Sequence, residues 1–228
     1  MKNNKTLILY VSHLRNEYTI YNYNRLVNEV DNTKFDVLFY EPDWNYLLNK
    51  YSDIAFNEQV APDWHFDLKT ISYVGNTILI LFDILEKYPE YNYYYYMEFD
   101  CYYTGHYGEM FNTLDNILYK ININYLFQST PQHFKHWWWT DKPYNVYDLT
   151  EDEMTIKELY NEYSTGNWYG HHELLIPSIL SKSDLKPDYI NRYIKIDMRI
   201  YEHEVPELLH NNTLYHPIKN LRRYTVEQ

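Results

Sequence analysis

The chain has 228 residues, a single cysteine and a net charge of −12, from 20 Lys and Arg against 32 Asp and Glu. One cysteine excludes an intrachain disulfide and a cysteine-rich zinc site. The acidic balance argues against a nucleic-acid backbone as partner, and the length suffices for a single α/β domain with its own core. Tyrosine is abundant, at 29 residues. A compositional bias toward Tyr, Asn, Ile and Lys accounts for this, and the same rings would suit a sugar-binding cleft, where they stack on apolar sugar faces.

Residues Thr6 to Val11 form a short apolar run that predicts a first strand. It is too short for a secretory core, and the expectation is a soluble, cytoplasmic protein that is not integral to a membrane. Asn16 to Val30 has helical spacing, with Tyr18, Tyr21, Leu26, Val27 and Val30 expected on the inward face. Phe35 to Tyr40 predicts a second strand, ended by Glu41-Pro42-Asp43. Trp44 to Trp64 reads as a long loop or a short-helix excursion. Ser72 to Tyr88 predicts a helix with Ile78, Leu81, Phe82 and Leu85 inward, stopped by Pro89.

Tyr91 to Phe99 is expected to be a buried central strand. Gly108 to Tyr119 predicts a helix with Met110, Phe111, Leu114, Ile117 and Leu118 inward, and Asn124 to Gln128 a further strand. Thr150 to Tyr163 has the spacing of a helix opened by a capping box, Thr150 with Glu153. Pro177 shortens or kinks any helix over His171 to Leu180. Tyr193 to Tyr201 alternates as a strand does, and a tail follows to Lys219. Strands alternating with helices predict an α/β class: a single domain with an open, mostly parallel sheet flanked by helices. With only five Gly, no Gly-rich phosphate loop exists, and dinucleotide-binding and P-loop motifs are absent.

The end of the third strand carries the chemistry. Glu98 and Asp100 lie two residues apart, so on an extended chain they point to the same side. Ligands of open α/β sheets bind at the carboxyl ends of strands. Two hard oxygen donors there suit a divalent cation that carries phosphates.

The order strand, helix, strand, long loop, helix, then a strand ended by Glu98-Phe99-Asp100 resembles the GT-A-type glycosyltransferases, the nucleotide-diphospho-sugar transferase fold. In that family an acidic motif, usually Asp-x-Asp, holds Mn2+ or Mg2+ against the donor diphosphate; this chain has Glu at the first position. Gly170-His171-His172-Glu173-Leu174-Leu175-Ile176-Pro177 resembles an acceptor-side segment of bacterial glycosyltransferases. Leu214-Tyr215-His216-Pro217-Ile218-Lys219 resembles their C-terminal His-Pro-x-Lys segment. The resemblance runs in order of elements from residue 6 to 219.

It implies a transferase of bacterial polysaccharide biosynthesis. A sugar would pass from a nucleotide-diphosphate donor to a glycan or lipid-linked acceptor. Asp100, Glu98 and His216 would hold the metal. Val11, Ser12 and His13 would lie near the donor, with Lys219 on its phosphates. Glu173, or His172 or His171, would act on the acceptor hydroxyl, and Trp137, Trp138 and Trp139 would form the acceptor platform. The nucleotide-sugar-binding half would cover about 1–105 and the acceptor half, with the C-terminal metal and phosphate segment, about 106–228.

Plainer readings stand beside these. Paired acids can be a solvated turn, His216 a structural histidine, Glu173 a helix cap, the Trp run core or an oligomer contact, and Cys101 a small buried hydrophobe. Two other functions compete: a non-catalytic carbohydrate-binding protein on the same fold, and a metal-dependent hydrolase, which lacks the close His spacings such sites use.

Overall fold

The structure is a computed structural model that describes residues 5–52, 78–91, 93–121, 125–127, 187–198, 208–216, 218 and 225–226. The chain divides into two compact units. One gathers residues 1–42, 90–122 and 190–228, the other residues 43–89 and 123–189. Among the described residues no helix is long and apolar enough to cross a membrane.

The first unit is built on a parallel sheet of β1 (Thr6–Val11), β2 (Phe35–Tyr40) and β3 (Tyr93–Glu98), in the order β2-β1-β3. All six side chains of β1 are buried, as a run apolar on both faces requires in a covered parallel sheet. The register sets Val11 level with Tyr40 on one side and Glu98 on the other, so the three strands end together. Among the described strands β1, not β3, takes the middle. Tyr93 to Tyr96 are only half-buried, which corrects the expectation of a buried central strand.

Helix α1 (Glu17–Glu29) starts at Asn16, whose side chain accepts from the Thr19 N–H at 2.9 Å while Thr19 Oγ1 accepts from the Asn16 N–H at 3.0 Å. This reciprocal cap fixes where the helix begins. It also turns the helix. Thr19, Asn22 and Leu26 face inward, while Tyr21 and Val27 are exposed, contrary to the face expected from apolar spacing alone. Arg25 and Glu29, one turn apart, reach from α1 to the start of α4 (Tyr107–Ile121). The Arg25 guanidinium donates to the carbonyls of Tyr103 and Gly105 and lies over the rings of Tyr102 and Tyr107. Glu29 accepts from the Tyr107 N–H at 2.7 Å, an anion at a helix N-terminus. Met110, Phe111 and Leu114 of α4 are buried as expected, and Ile117 is half-buried.

A second sheet in this unit has the order β4-β9-β7, from β4 (Tyr102–Tyr103), β9 (Thr213–His216) and β7 (Lys195–Met198). Here β4 runs antiparallel to β9, with Tyr102 opposite Tyr215, and β7 runs parallel to it, with Met198 opposite His216. The turn before β9 uses Asn212 at φ 50°, a left-handed conformation that Asn tolerates better than most residues. Two further strands, β8 (Leu208–Leu209) and β10 (Thr225–Val226), pair in parallel. Leu209, Tyr215, Ile218 and Tyr102 form a small core against which Tyr18 packs.

In the second unit α2 (Trp44–Lys50), capped by Asp43, packs on α3 (Ile78–Lys87). The short-helix alternative thus holds at the start of the 44–64 excursion. Leu79, Ile80, Phe82 and Ile84 are buried, and so is Asp83, whose carboxylate is held by Lys87 at 2.6 Å and Lys50 at 3.1 Å. Two ammonium groups on one carboxylate satisfy a charge that burial alone would not permit. Strands β5 (Tyr125–Phe127) and β6 (Pro187–Tyr189) pair in parallel. The segments around Trp137, Thr150 to Tyr163, and His171 to Leu180 lie outside the described residues.

The close approach of α4 to α1 depends on Gly108. A Cβ there would strike the backbone carbonyl of Glu29. Gly108→Ala is expected to destabilise the protein by about 1–3 kcal/mol, the usual range for forced overpacking. A urea midpoint unchanged from wild type would show that the two helices are not so tightly seated.

Candidate metal centre

The strand β3 stops at Glu98, and the chain turns at once: the Cys101 N–H donates back to the Glu98 carbonyl at 3.0 Å. Other backbone hydrogen bonds of this turn reach β1, α1 and the Ile218 backbone. The Phe99 N–H donates to the Val11 carbonyl at 2.9 Å, and the Phe99 carbonyl accepts from the Tyr10 hydroxyl at 3.1 Å. The Asp100 carbonyl accepts from the Ile218 N–H at 2.7 Å, and the Cys101 carbonyl accepts from Asn22 Nδ2 at 2.9 Å. Asn22 is itself fully buried and accepts from the Tyr107 hydroxyl at 2.8 Å. Burial pushes the phenols of Tyr10, Tyr18 and Tyr107 well above the ordinary tyrosine range, so all three are neutral hydroxyls.

This scaffold sets three polar side chains together. His216 Nε2 lies 3.1 Å from Glu98 Oε2 and 3.3 Å from Asp100 Oδ1. The His216 side chain is 16% exposed, Glu98 28% and Asp100 5%, so the cluster is sheltered on the Asp100 side and reached by solvent at Glu98. The β4–β9 pairing explains the meeting: with Tyr102 opposite Tyr215, the residues just before Tyr102 and just after Tyr215 are neighbours. Glu98 and Asp100 do not meet through strand alternation, since Asp100 has already left the strand. The turn, not the pleat, brings both to His216.

The two separations from His216 are compatible with a shared cation. Oxygen and nitrogen donors bound at about 2.1 Å and at right angles would be roughly 3.0 Å apart, close to the separations seen. The ligand atoms of Asp100, Cys101 and His216 also lie within 4.8 Å of one another. Cys101 is half-buried rather than fully buried as expected of a small hydrophobe. Its place directly after the acidic pair was the available signal. Asn22 and Tyr10 gave none, because a polar residue on a helix and a tyrosine in a strand are both commonplace.

The same geometry serves a proton. Burial opposes a charged imidazole, but hydrogen bonds to Asp100 and Glu98 and the charges of both outweigh it, and His216 is pushed up to about 10. Without a cation, an imidazolium bridges the two carboxylates. A cation would need that nitrogen neutral, so proton and metal compete for one place.

Of the other expected site residues, Val11 ends β1 beside Glu98. Ser12 is buried, with its hydroxyl donating to the Leu14 carbonyl at 2.8 Å and accepting from the Leu14 N–H at 3.0 Å. His13 is exposed, its ring edge-on to Phe99 at 5.0 Å. Lys219, His172, Glu173, Trp137, Trp138 and Trp139 lie outside the described residues. Comparison of the chain with known protein families, curated proteins and solved structures finds no match in any of the three.

Because its value in the fold exceeds the ordinary 6.5, charged His216 stabilises the metal-free protein fully below pH 6.5. That contribution is lost as pH rises through about 10. Urea melts in chelator are expected to show stability falling across this window, and the fall should be shallower in His216→Gln. Identical slopes in the two proteins would mean that His216 is not bridging the acids.

Proposed function

We propose that the chain is a metal-dependent glycosyltransferase of GT-A type, moving a sugar from a nucleotide-diphosphate donor to a glycan or lipid-linked acceptor. The observation that carries this reading is the convergence of Glu98, Asp100 and His216 at the carboxyl end of a parallel strand, with Nε2 at 3.1 and 3.3 Å from the two carboxylates. The β2-β1-β3 sheet supports it, since the strand ends at Val11 and Glu98 lie side by side where α/β folds bind nucleotides.

Asp100, Glu98 and His216 would hold Mn2+ or Mg2+. The cation, when bound, offsets the charge that develops on the departing diphosphate. The turn that carries Asp100 is fastened at each carbonyl from Phe99 to Cys101, so its carboxylate is preorganised and needs little rearrangement on binding. His13, exposed and edge-on to Phe99, would meet the nucleotide, and Lys219 would add a point charge for phosphate. On the acceptor side Glu173, with His172 near it in sequence, would orient or deprotonate the hydroxyl, and Trp137, Trp138 and Trp139 would stack on the sugar.

The second reading, a non-catalytic carbohydrate-binding protein, draws on the same atoms: protonated His216 lies between the two carboxylates as in a structural ion cluster.

A thermal-shift screen of UDP, GDP and CDP, each with and without Mn2+, separates the two. The transferase reading expects stabilisation by one nucleotide only when metal is present, its loss in Asp100→Ala, and its retention in Glu173→Ala, which should instead lose transfer. Silence toward every nucleotide with Mn2+ would favour the binding protein.

A further inference from the structure

We infer that Cys101 is a ligand of the same cation, and that its sulfur decides which cation the centre prefers: Zn2+ or Co2+ over Mg2+. The inference rests on the metal-holding part of the reading above. Its grounds are positional. Cys101 directly precedes Tyr102, which pairs with Tyr215 beside His216, and the Cys101 sulfur, a ring nitrogen of His216 and an Asp100 oxygen lie within 4.8 Å of one another. Around a tetrahedral ion, sulfur at about 2.3 Å and oxygen or nitrogen at about 2.1 Å stand roughly 3.6 Å apart, so side-chain rotations that draw the donors together close the set.

The backbone of Cys101 is pinned at both its N–H and its carbonyl, which keeps the sulfur near the other donors. Half-burial leaves the thiol within reach of an incoming ion.

The chemistry then follows from ligand softness. Mg2+ and Ca2+ favour oxygen and gain nothing from a thiolate, whereas Co2+ and Zn2+ bind imidazole and thiolate strongly. On binding, the thiol releases its proton to buffer and the sulfur lone pair forms the bond to the metal; no electron is transferred. An ion of higher coordination number, such as Mn2+ or Co2+, would keep positions open for diphosphate oxygens, while tetrahedral Zn2+ would be held closed.

The test is a Co2+ titration of the full chain under reducing conditions, followed by absorption. Cobalt bound through sulfur shows an intense near-ultraviolet thiolate charge-transfer band beside its weaker visible bands. The expected result is a saturable charge-transfer band in the wild type, displaced by Zn2+ but not by Mg2+, and absent in Cys101→Ser. That variant should lose Co2+ and Zn2+ affinity by roughly tenfold or more, since even partners of ligands shift affinity that far, while Mn2+ affinity changes much less. The wild-type band alone decides the point if the variant folds poorly.

Visible bands without charge transfer would overturn Cys101 as a ligand and leave the transferase reading standing. No cobalt uptake would also overturn the inference. The transferase reading falls with it only if the Mn2+-dependent nucleotide shift is missing too.

Discussion

Three ionisable side chains share one small volume because β4 and β9 are zipped together with Tyr102 opposite Tyr215. That pairing, extended by the Ile218 N–H on the Asp100 carbonyl, draws His216 onto two carboxylates more than a hundred residues away. Two partly buried acids side by side repel each other and lose hydration, and a positive charge between them is what makes the arrangement tolerable. The imidazolium of His216 supplies that charge in the metal-free chain. A divalent cation would supply it instead, and would displace the proton in doing so.

The turn that bears these groups is held by β1 and α1 together, and α1 also fastens the segment that follows it. Asn22 ties the Cys101 carbonyl to Tyr107, and Arg25 and Glu29 tie the Tyr103, Gly105 and Tyr107 backbone to the same helix. Polar groups buried this way are all hydrogen-bonded, so they act as fasteners rather than as sources of strain. The inward face of α1 is therefore partly polar by necessity. It serves a turn full of backbone carbonyls, not only an apolar core.

This explains what the sequence reveals and what it conceals. The bounds of β1 and β2 are legible, because Thr6 to Val11 and Phe35 to Tyr40 are compact apolar runs, and Pro42 follows the second. The acidic pair is legible as a strand end. The route by which it acts is not: alternation along a strand predicts a common side for Glu98 and Asp100, whereas a turn fastened by β1, α1 and the Ile218 backbone does the work. Apolar spacing misjudged α1, placing Tyr21 and Val27 inside, because it gives no weight to Thr19 as a cap partner or Asn22 as a fastener. His216 came within reach only through a family resemblance, since no local period signals a contact across 118 residues. Cys101 was set aside as a hydrophobe, because a lone thiol says nothing until its neighbours are known.

A cation entering between Glu98, Asp100 and His216 would have to displace the proton that His216 holds there. Calorimetric titration of the chain with Mn2+ at neutral pH, repeated in buffers of differing ionisation enthalpy, measures it directly. The account predicts that each cation bound expels at least one proton to buffer, and that His216→Gln expels fewer. Binding with a heat that does not depend on the buffer would contradict it, because the cation would then be entering a place the proton never held.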